Sequence, residues 1–375
     1  MILIIAAFVS MIDRSVMPPL VPVIASDLGA SVNAVGQSLT VYAVSYACFQ
    51  LVWSTLAARY GRVRVLVAST ALGALANLGT ALAADALTYS VMRGLAGAAF
   101  SATITTVLIY YGDTLTIRLR AVATANLAAA ISLGLAAGTV GAGAIAQWFG
   151  WRWVYATVAA ICVVLTVLLP RLAESASGAR ERLLPSMRLL ARNRWAVTIL
   201  VFTAIEGLLL IGVFNYLAVA LQDVGETVLV AGLATSAFGA SVVLVSQLMK
   251  LILGHWPSWV LMLCAGLSVV GAYCIVALEV SLPGVLAAAI LLGLAWALGH
   301  TTMQTWMTDA VSDSRAIGMS MFSISLFTGA SIGAALGNVA AGGHRFGVLF
   351  AVSTAVAVMY TVATTIARAR YVERE

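Results

Sequence analysis

Five ionisable side chains stand where an apolar chain has no ordinary use for charge. Asp13 and Arg14 fall inside the apolar stretch 2–23, Arg93 inside 88–111, Glu206 inside 195–219 and His300 inside 283–307. A charge set against hydrocarbon costs several kcal/mol, so each of these groups must face a partner or a hydrated cavity. Asp13 has two ways to be satisfied: an ion pair with Arg93, or a local arrangement with Arg14 and polar backbone. Glu206 is the acid in the interior of the second half of the chain. Desolvation favours the neutral form of a carboxyl, so its protonation can respond to whatever else enters the site; Glu206 is therefore a candidate proton carrier, with cation recognition or a structural hydrogen bond as the other readings. His300 either relays a proton or packs as a satisfied histidine. Glu206, Asp13, Arg93 and His300 form the candidate proton-coupling set.

A second group of polar residues could contact a cargo. Tyr42, Tyr46 and Gln50 recur every four residues and share one helix face. Asn215, Tyr216 and Gln304 offer counterparts in the second half, and Arg14 completes the candidate cavity. Phe49, Phe202, Phe214, Trp296 and Trp306 either add aromatic wall or pack between helices and against lipid. An apolar cavity with a buried acid suits a small amphipathic organic molecule, cationic ones included. A sugar would call for more Asn, Gln and acidic residues along the spans. The expected partners are such a molecule, protons and membrane lipids. No cofactor or metal is expected, because no glycine-rich phosphate loop or zinc-spaced histidine pair is present. An acid–base enzyme built on Glu206 and His300 would lack a nucleophile or metal cluster to accompany them.

These residues need a membrane scaffold. The chain of 375 residues is 62% apolar and 9% charged, too little polar surface for a soluble protein of this size. Its long apolar runs match the roughly 20 residues that cross a roughly 30 Å hydrocarbon layer as helix, and they lack the alternation of a membrane barrel. Twelve spans are predicted: 2–23, 36–57, 65–83, 88–111, 121–147, 152–170, 195–219, 228–251, 258–279, 283–307, 316–341 and 346–367. The fold class is all-α and polytopic.

An internal repeat organises the spans. Asp27, Gly29, Val32 and Gly36 return in order as Asp223, Gly225, Val228 and Gly232; Arg120, Ala121, Gly134 and Gly138 return as Arg315, Ala316, Gly329 and Gly333. Two pseudo-symmetric six-helix bundles follow, 1–170 and 195–375, joined by the charged segment 171–194, which is expected to lie on the membrane surface and to be part helical. The expected functional unit is a monomer.

Arginines set the orientation. If the chain starts in the cytoplasm, that side collects Arg59, Arg62, Arg64, Arg118, Arg120, the arginines of the central segment, Lys250, Arg315, Arg368, Arg370 and Arg374, and the other side receives Arg152 and Arg345. This positive-inside pattern places both termini in the cytoplasm and the protein in the cytoplasmic (inner) membrane. The net charge of +6 is thereby explained by topology and does not argue for nucleic acid. The first stretch has no basic leader and carries Asp13-Arg14, so it is a retained span rather than a signal peptide. Cys48, Cys162, Cys264 and Cys274 sit in apolar segments and are expected to be buried and reduced.

The loop motifs carry a resemblance. Ser54-Thr-Leu-Ala-Ala-Arg-Tyr-Gly-Arg-Val-Arg resembles the signature between the second and third helices of the major facilitator superfamily, with Leu56, Arg59, Gly61 and Arg62 matching; Ser54 stands for its first glycine and Ala58 for its acid. Arg93 in Val-Met-Arg-Gly and the run Gly134 to Gly143 resemble the fourth-helix arginine and fifth-helix motif of the drug and proton antiporters, with Thr139 in place of proline and Ala142 in place of glycine. The resemblance implies a two-bundle carrier that exports a hydrophobic or amphipathic compound in exchange for protons by alternating access; a lipid or lipid-linked molecule translocase is the alternative. It assigns Arg59, Gly61, Arg62, Gly134 and Gly138 to gating and helix packing, with Arg59 and Arg62 as plain topology anchors the other reading; Gly329 and Gly333 join the packing set through the repeat, and the missing acid at Ala58 implies a weakened cytoplasmic latch. For the paired glycines, plain close packing of helices explains the same pattern.

Overall fold

Short polar residues at the heads of apolar runs start several helices. Ser31, Asp85, Asn193 and Ser281 each turn a side-chain oxygen onto a free N–H of the following turn: Ala34 at 3.1 Å, Thr88 at 2.8 Å, Trp195 at 3.0 Å and Gly284 at 3.4 Å. The computed structural model describes residues 1–174, 190–252, 256–311 and 315–371. Most of the central segment, with Arg180, Glu181, Arg182, Pro185 and Arg188, and the tail with Arg374 lie outside the described residues, as do the side chains of Arg118, Lys250 and Arg315.

In chain order the first half holds α1 (Ile2–Ser15), α2 (Met17–Asp27), α3 (Val32–Tyr60), α4 (Arg62–Ala81), α5 (Ala86–Phe100), α6 (Thr103–Thr114), α7 (Ile117–Phe149) and α8 (Trp151–Leu168). The second holds α9 (Arg194–Gly207), a π-helical turn (Leu208–Val213), α10 (Asn215–Asp223), α11 (Val228–Ile252), α12 (Ser258–Leu278) and α13 (Leu282–Ala295). A second π turn (Trp296–His300) leads into α14 (Thr301–Ala310), followed by α15 (Arg315–Gly342) and α16 (Phe346–Arg370). Among the described residues, 11 helices are long and apolar enough to cross a membrane, and up to 12 if the bent pair α1 and α2 is one span.

The first predicted span, 2–23, is therefore covered by a bent pair of helices. The two helices meet at 47°, and Pro18 and Pro19 open the second one. Neither proline has an N–H to continue the ladder, so the helix breaks just before them. The remaining spans run a few residues past most of the predicted ends; the second covers 32–60 rather than 36–57, because apolarity marks only the stretch inside lipid while the helix continues to its caps.

The chain divides into two compact units, Met1–Glu181 and Arg182–Glu375. In the first, α1 packs on α7, α3 on α5, and α4 on α8. In the second, the corresponding helices repeat the same pairings: α9 with α15, α11 with α13, and α12 with α16. The sequence repeat is thus a repeat of packing. Its glycines explain part of it. Cβ atoms at Gly134 and Gly138 would come closer than 3.0 Å to the carbonyl oxygens of Phe8 and Ile12 in α1, and Cβ atoms at Gly329 and Gly333 would do the same to Ala204 and Leu208 in the second unit. Gly29 and Gly225, the repeated pair after the Asp, both take positive φ, 60° and 99°.

Leu82, Leu87, Val122, Val163, Val167, Leu278 and Val339 are large apolar side chains left exposed, as suits a chain that spans a membrane. Cys48 and Cys274 lie on exposed faces as well, which corrects their expected burial in protein; an apolar span offers lipid as readily as a core to a small side chain. Cys162 is buried.

Candidate charge-bearing sites in the two units

In the first unit α5 carries Arg93 against α1. Its guanidinium forks onto the Asp13 carboxylate, Nη1 donating to Oδ1 at 3.0 Å and Nη2 to Oδ2 at 2.8 Å. Nη2 also donates to the Asp13 backbone carbonyl at 3.1 Å and Nη1 to Asn77 Oδ1 at 3.2 Å. Both charged side chains are 0% exposed. The rings of Tyr42 and Tyr155 lie 5.2 and 5.0 Å from the guanidinium carbon, and Tyr155 shares a 2.7 Å hydrogen bond with Tyr89. The pair is therefore held by bidentate geometry and a ring cage, the condition under which a desolvated ion pair is tolerable. Asn77, Tyr89 and Tyr155 were not singled out in the sequence; no spacing rule ties Asn77 on α4 to Arg93 on α5.

Arg14 is half-buried and its charge faces Tyr42 and Tyr46. Tyr42, Tyr46 and Gln50 share the buried face of α3. Gln50 turns its amide N–H inward, donating to Thr105 Oγ1 at 2.5 Å.

In the second unit, Glu206 on α9 and His300 at the end of the second π turn come together. Glu206 Oε2 and His300 Nδ1 are 3.2 Å apart, with Glu206 1% and His300 8% exposed. Gln304, one helical turn beyond His300, sets its amide nitrogen 3.0 Å from His300 Nε2. Trp296, one turn before, stacks on the imidazole at 4.0 Å between ring centres and 18° between planes. Phe322 lies 5.4 Å away, and Phe238 and Phe214 extend the aromatic line from Trp296. Among the described residues, Glu206 Oε1 is buried with no hydrogen-bond partner. The spacing of Trp296, His300 and Gln304 at every fourth residue was the available sequence signal for this ridge.

The other expected residues fall elsewhere. Phe202 and Trp306 belong to the core of the second unit, and Phe49 lies on an exposed face. Tyr216 is buried, its ring against Gly337, and Asn215 beside it is half-buried. At the turn between α3 and α4, Arg59 is exposed above the Tyr60 ring, while Arg62 is buried and pairs with Asp113 at 3.3 Å. The sequence pointed to no role for Glu174, yet its carboxylate accepts from the N–H groups of Val63 at 2.9 Å and Arg64 at 3.1 Å.

Residues 3–225, more than half the chain, match the profile of the Major Facilitator Superfamily. The chain belongs to this superfamily. Its structural likeness to other carriers spans nearly the whole length at low identity. A point mutant of the nucleoside transporter NupG superposes with a TM-score of 0.78 at 14% identity, covering 98% of each chain. A bacterial homologue of the human lysosomal transporter Spinster, inward-facing and unoccupied, gives 0.78 at 16% identity over 98% of this chain and 96% of its own. A D-xylose–proton symporter gives 0.78 at 12% over 97% and 95%. At these identities the likeness establishes the major facilitator fold and nothing about cargo. The MFS antiporter QDR3 of Candida albicans is 35% identical over 100 residues, 26% of this chain and 14% of the length of that relative. This member of the superfamily is thus a multi-pass membrane protein with a transporter fold.

Proposed function

We propose that this carrier exports a small hydrophobic or amphipathic organic compound in exchange for protons, by alternating access. The observation that supports it most is Glu206: an acid 1% exposed, with one oxygen on His300, the other without a partner among the described residues, and aromatic rings around the imidazole. A buried carboxyl whose second oxygen is free can take up a proton or meet a cationic group on a cargo, and the two uses exclude each other. That exclusion is the minimum requirement for coupling. The short stretch of likeness to an antiporter points the same way. Asp13 and Arg93 form a counter-pair in the first unit, and the asymmetry of arginines supports a carrier of the inner membrane with both termini on its cytoplasmic side.

The test is cargo-induced proton release from purified protein, with amphipathic cations as trial cargoes, compared with Glu206→Gln. Glutamine keeps the size and polarity while removing the titratable proton. Release in the parent and its loss in the variant are expected. Equal release from both would remove Glu206 from the coupling step, and no release from the parent with any trial cargo would remove proton exchange.

A further inference from the structure

With the Gln304 amide turned as it is, only one protonation pattern satisfies the nitrogen atoms around His300. The amide nitrogen of Gln304 is a donor and nothing else, and it lies 3.0 Å from His300 Nε2. Nε2 must then be the bare, accepting nitrogen of the ring. The ring proton sits on Nδ1, which donates to Glu206 Oε2 across 3.2 Å. Addition of a proton at Nε2 would set N–H against N–H until the Gln304 amide turned over to present its oxygen. The position left open for a proton is Glu206 Oε1, which is buried and has no hydrogen-bond partner among the described residues.

We infer that Gln304 is a positioning residue that holds His300 as the neutral Nδ1–H tautomer and so directs proton exchange to Glu206 Oε1 rather than to the imidazole. Gln304 acts through His300 and touches no reacting atom of its own accord. Trp296 covers one face of the ring and Phe322 stands 5.4 Å from it, so rotation of the imidazole is hindered. Tyr360 on α16, a further titratable side chain of this core, packs its ring against Phe202, one turn before Glu206, at 6.3 Å between ring centres. Burial grades along the row: Glu206 is closed off, His300 nearly so, and Gln304 is half-buried. A turn of the Gln304 amide is therefore a local event at the more open end that changes which atom at the closed end can carry the charge. This inference deepens the carrier proposal and rests on it for its purpose, while the tautomer stands or falls separately.

Imidazole nitrogen NMR on the purified full-length chain tests it. The protein has 3 histidines, and the His300 signals are those lost in His300→Gln. At neutral pH without cargo, the parent should show a protonated Nδ1 and a bare Nε2. Gln304→Glu places an acceptor at Nε2 and should shift His300 to the doubly protonated form at the same pH. Gln304→Leu, which removes the donor with little change in size, should mix the two neutral tautomers. An Nε2–H tautomer or an imidazolium in the parent would overturn the inference, as would a parent-like spectrum in Gln304→Leu. Should Gln304→Glu fail to fold, the parent and Gln304→Leu spectra decide. Cargo-induced proton release measured on the same samples separates the two ideas: its absence from the parent beside the expected tautomer refutes the exchange reading and leaves the role of Gln304 in place.

Discussion

Gly61 leaves open the space that the Glu174 carboxylate fills. A Cβ at Gly61 would lie 2.7 Å from Oε1 and 2.8 Å from Oε2, the same oxygens that accept from the first N–H groups of α4. A residue far along the chain therefore caps this helix, and a carboxylate at that end also meets the positive pole of the helix dipole. The glycine of the signature turn thus serves twice, for its φ of 103° and for its missing side chain.

Gly61→Ala is expected to destabilise the protein by about 2 kcal/mol through backbone strain and a displaced cap. Glu174→Ala should cost about 1 kcal/mol by losing the cap alone. The double variant should cost less than the two together, since a side chain cut back to a methyl group at position 174 no longer contests the space. Reversible unfolding in detergent checks this, and strict additivity would mean that the two residues do not share the site.

Neutralising either partner of the Asp13–Arg93 pair strands the other in a dry interior. Asp13→Asn and Arg93→Gln should each cost roughly 3–5 kcal/mol, with the double change costing less than their sum by about 1–3 kcal/mol. Asn77→Ala, which removes one neutral acceptor from the same guanidinium, should cost about 1–2 kcal/mol. A double-mutant cycle on stability reads the coupling directly.

Two glycines on α7 make an internal control. Gly138 faces Ser15 and Ile12, whereas a Cβ at Gly141 would meet nothing within 4 Å. Gly141→Ala should stabilise the helix by about 0.5–1 kcal/mol. Gly138→Ala should destabilise the protein by about 1–3 kcal/mol, because α1 must move away. If both substitutions raise the unfolding temperature, the close approach of α1 and α7 is not needed.

The Asp85 cap gives a pH dependence of known sign. The backbone N–H of Thr88 and then the Thr88 hydroxyl hold the Asp85 carboxyl below its ordinary value. A depressed carboxyl contributes stability that is complete above the unfolded value near 4 and is lost as pH falls through the folded value. The parent and Asp85→Asn should therefore differ in stability by a constant amount above about pH 4, and the difference should shrink as the pH falls from there through the folded value, as measured by circular dichroism across that range.

The spans, the repeat and the family turn were legible because each is a one-dimensional signal: apolar length, matched order, a short motif. The break at Val16 was legible in principle, since Pro18 and Pro19 stand just after it. The site was legible only as a set of misplaced charges. Asp13 and Arg93 announced themselves by their cost in hydrocarbon, whereas Asn77, equally part of that cluster, costs little on its own and leaves no trace. The contact between Glu206 and His300 joins residues far apart in sequence, one of them on a π turn, and no residue pattern marks an extra residue in a turn. Glu174 was hidden for a different reason: an acid beside a charged loop looks like solvated surface until the fold brings an empty glycine under it.

The π turn at Leu208–Val213 begins two residues after Glu206, and the one at Trp296–His300 ends on the other residue of the buried pair. Each holds a surplus residue relative to an α-helix, and one residue corresponds to about 100° of rotation about the helix axis. If the first turn tightened to α-helical winding, Asn215 and Tyr216 would swing by that angle relative to Glu206 with little displacement along the axis. A one-residue deletion within Leu208–Val213 would lock the tightened form, and labels placed on either side would report the rotation. The span that carries the acid thus keeps one residue in reserve just past it, wound more loosely than the helix on either side.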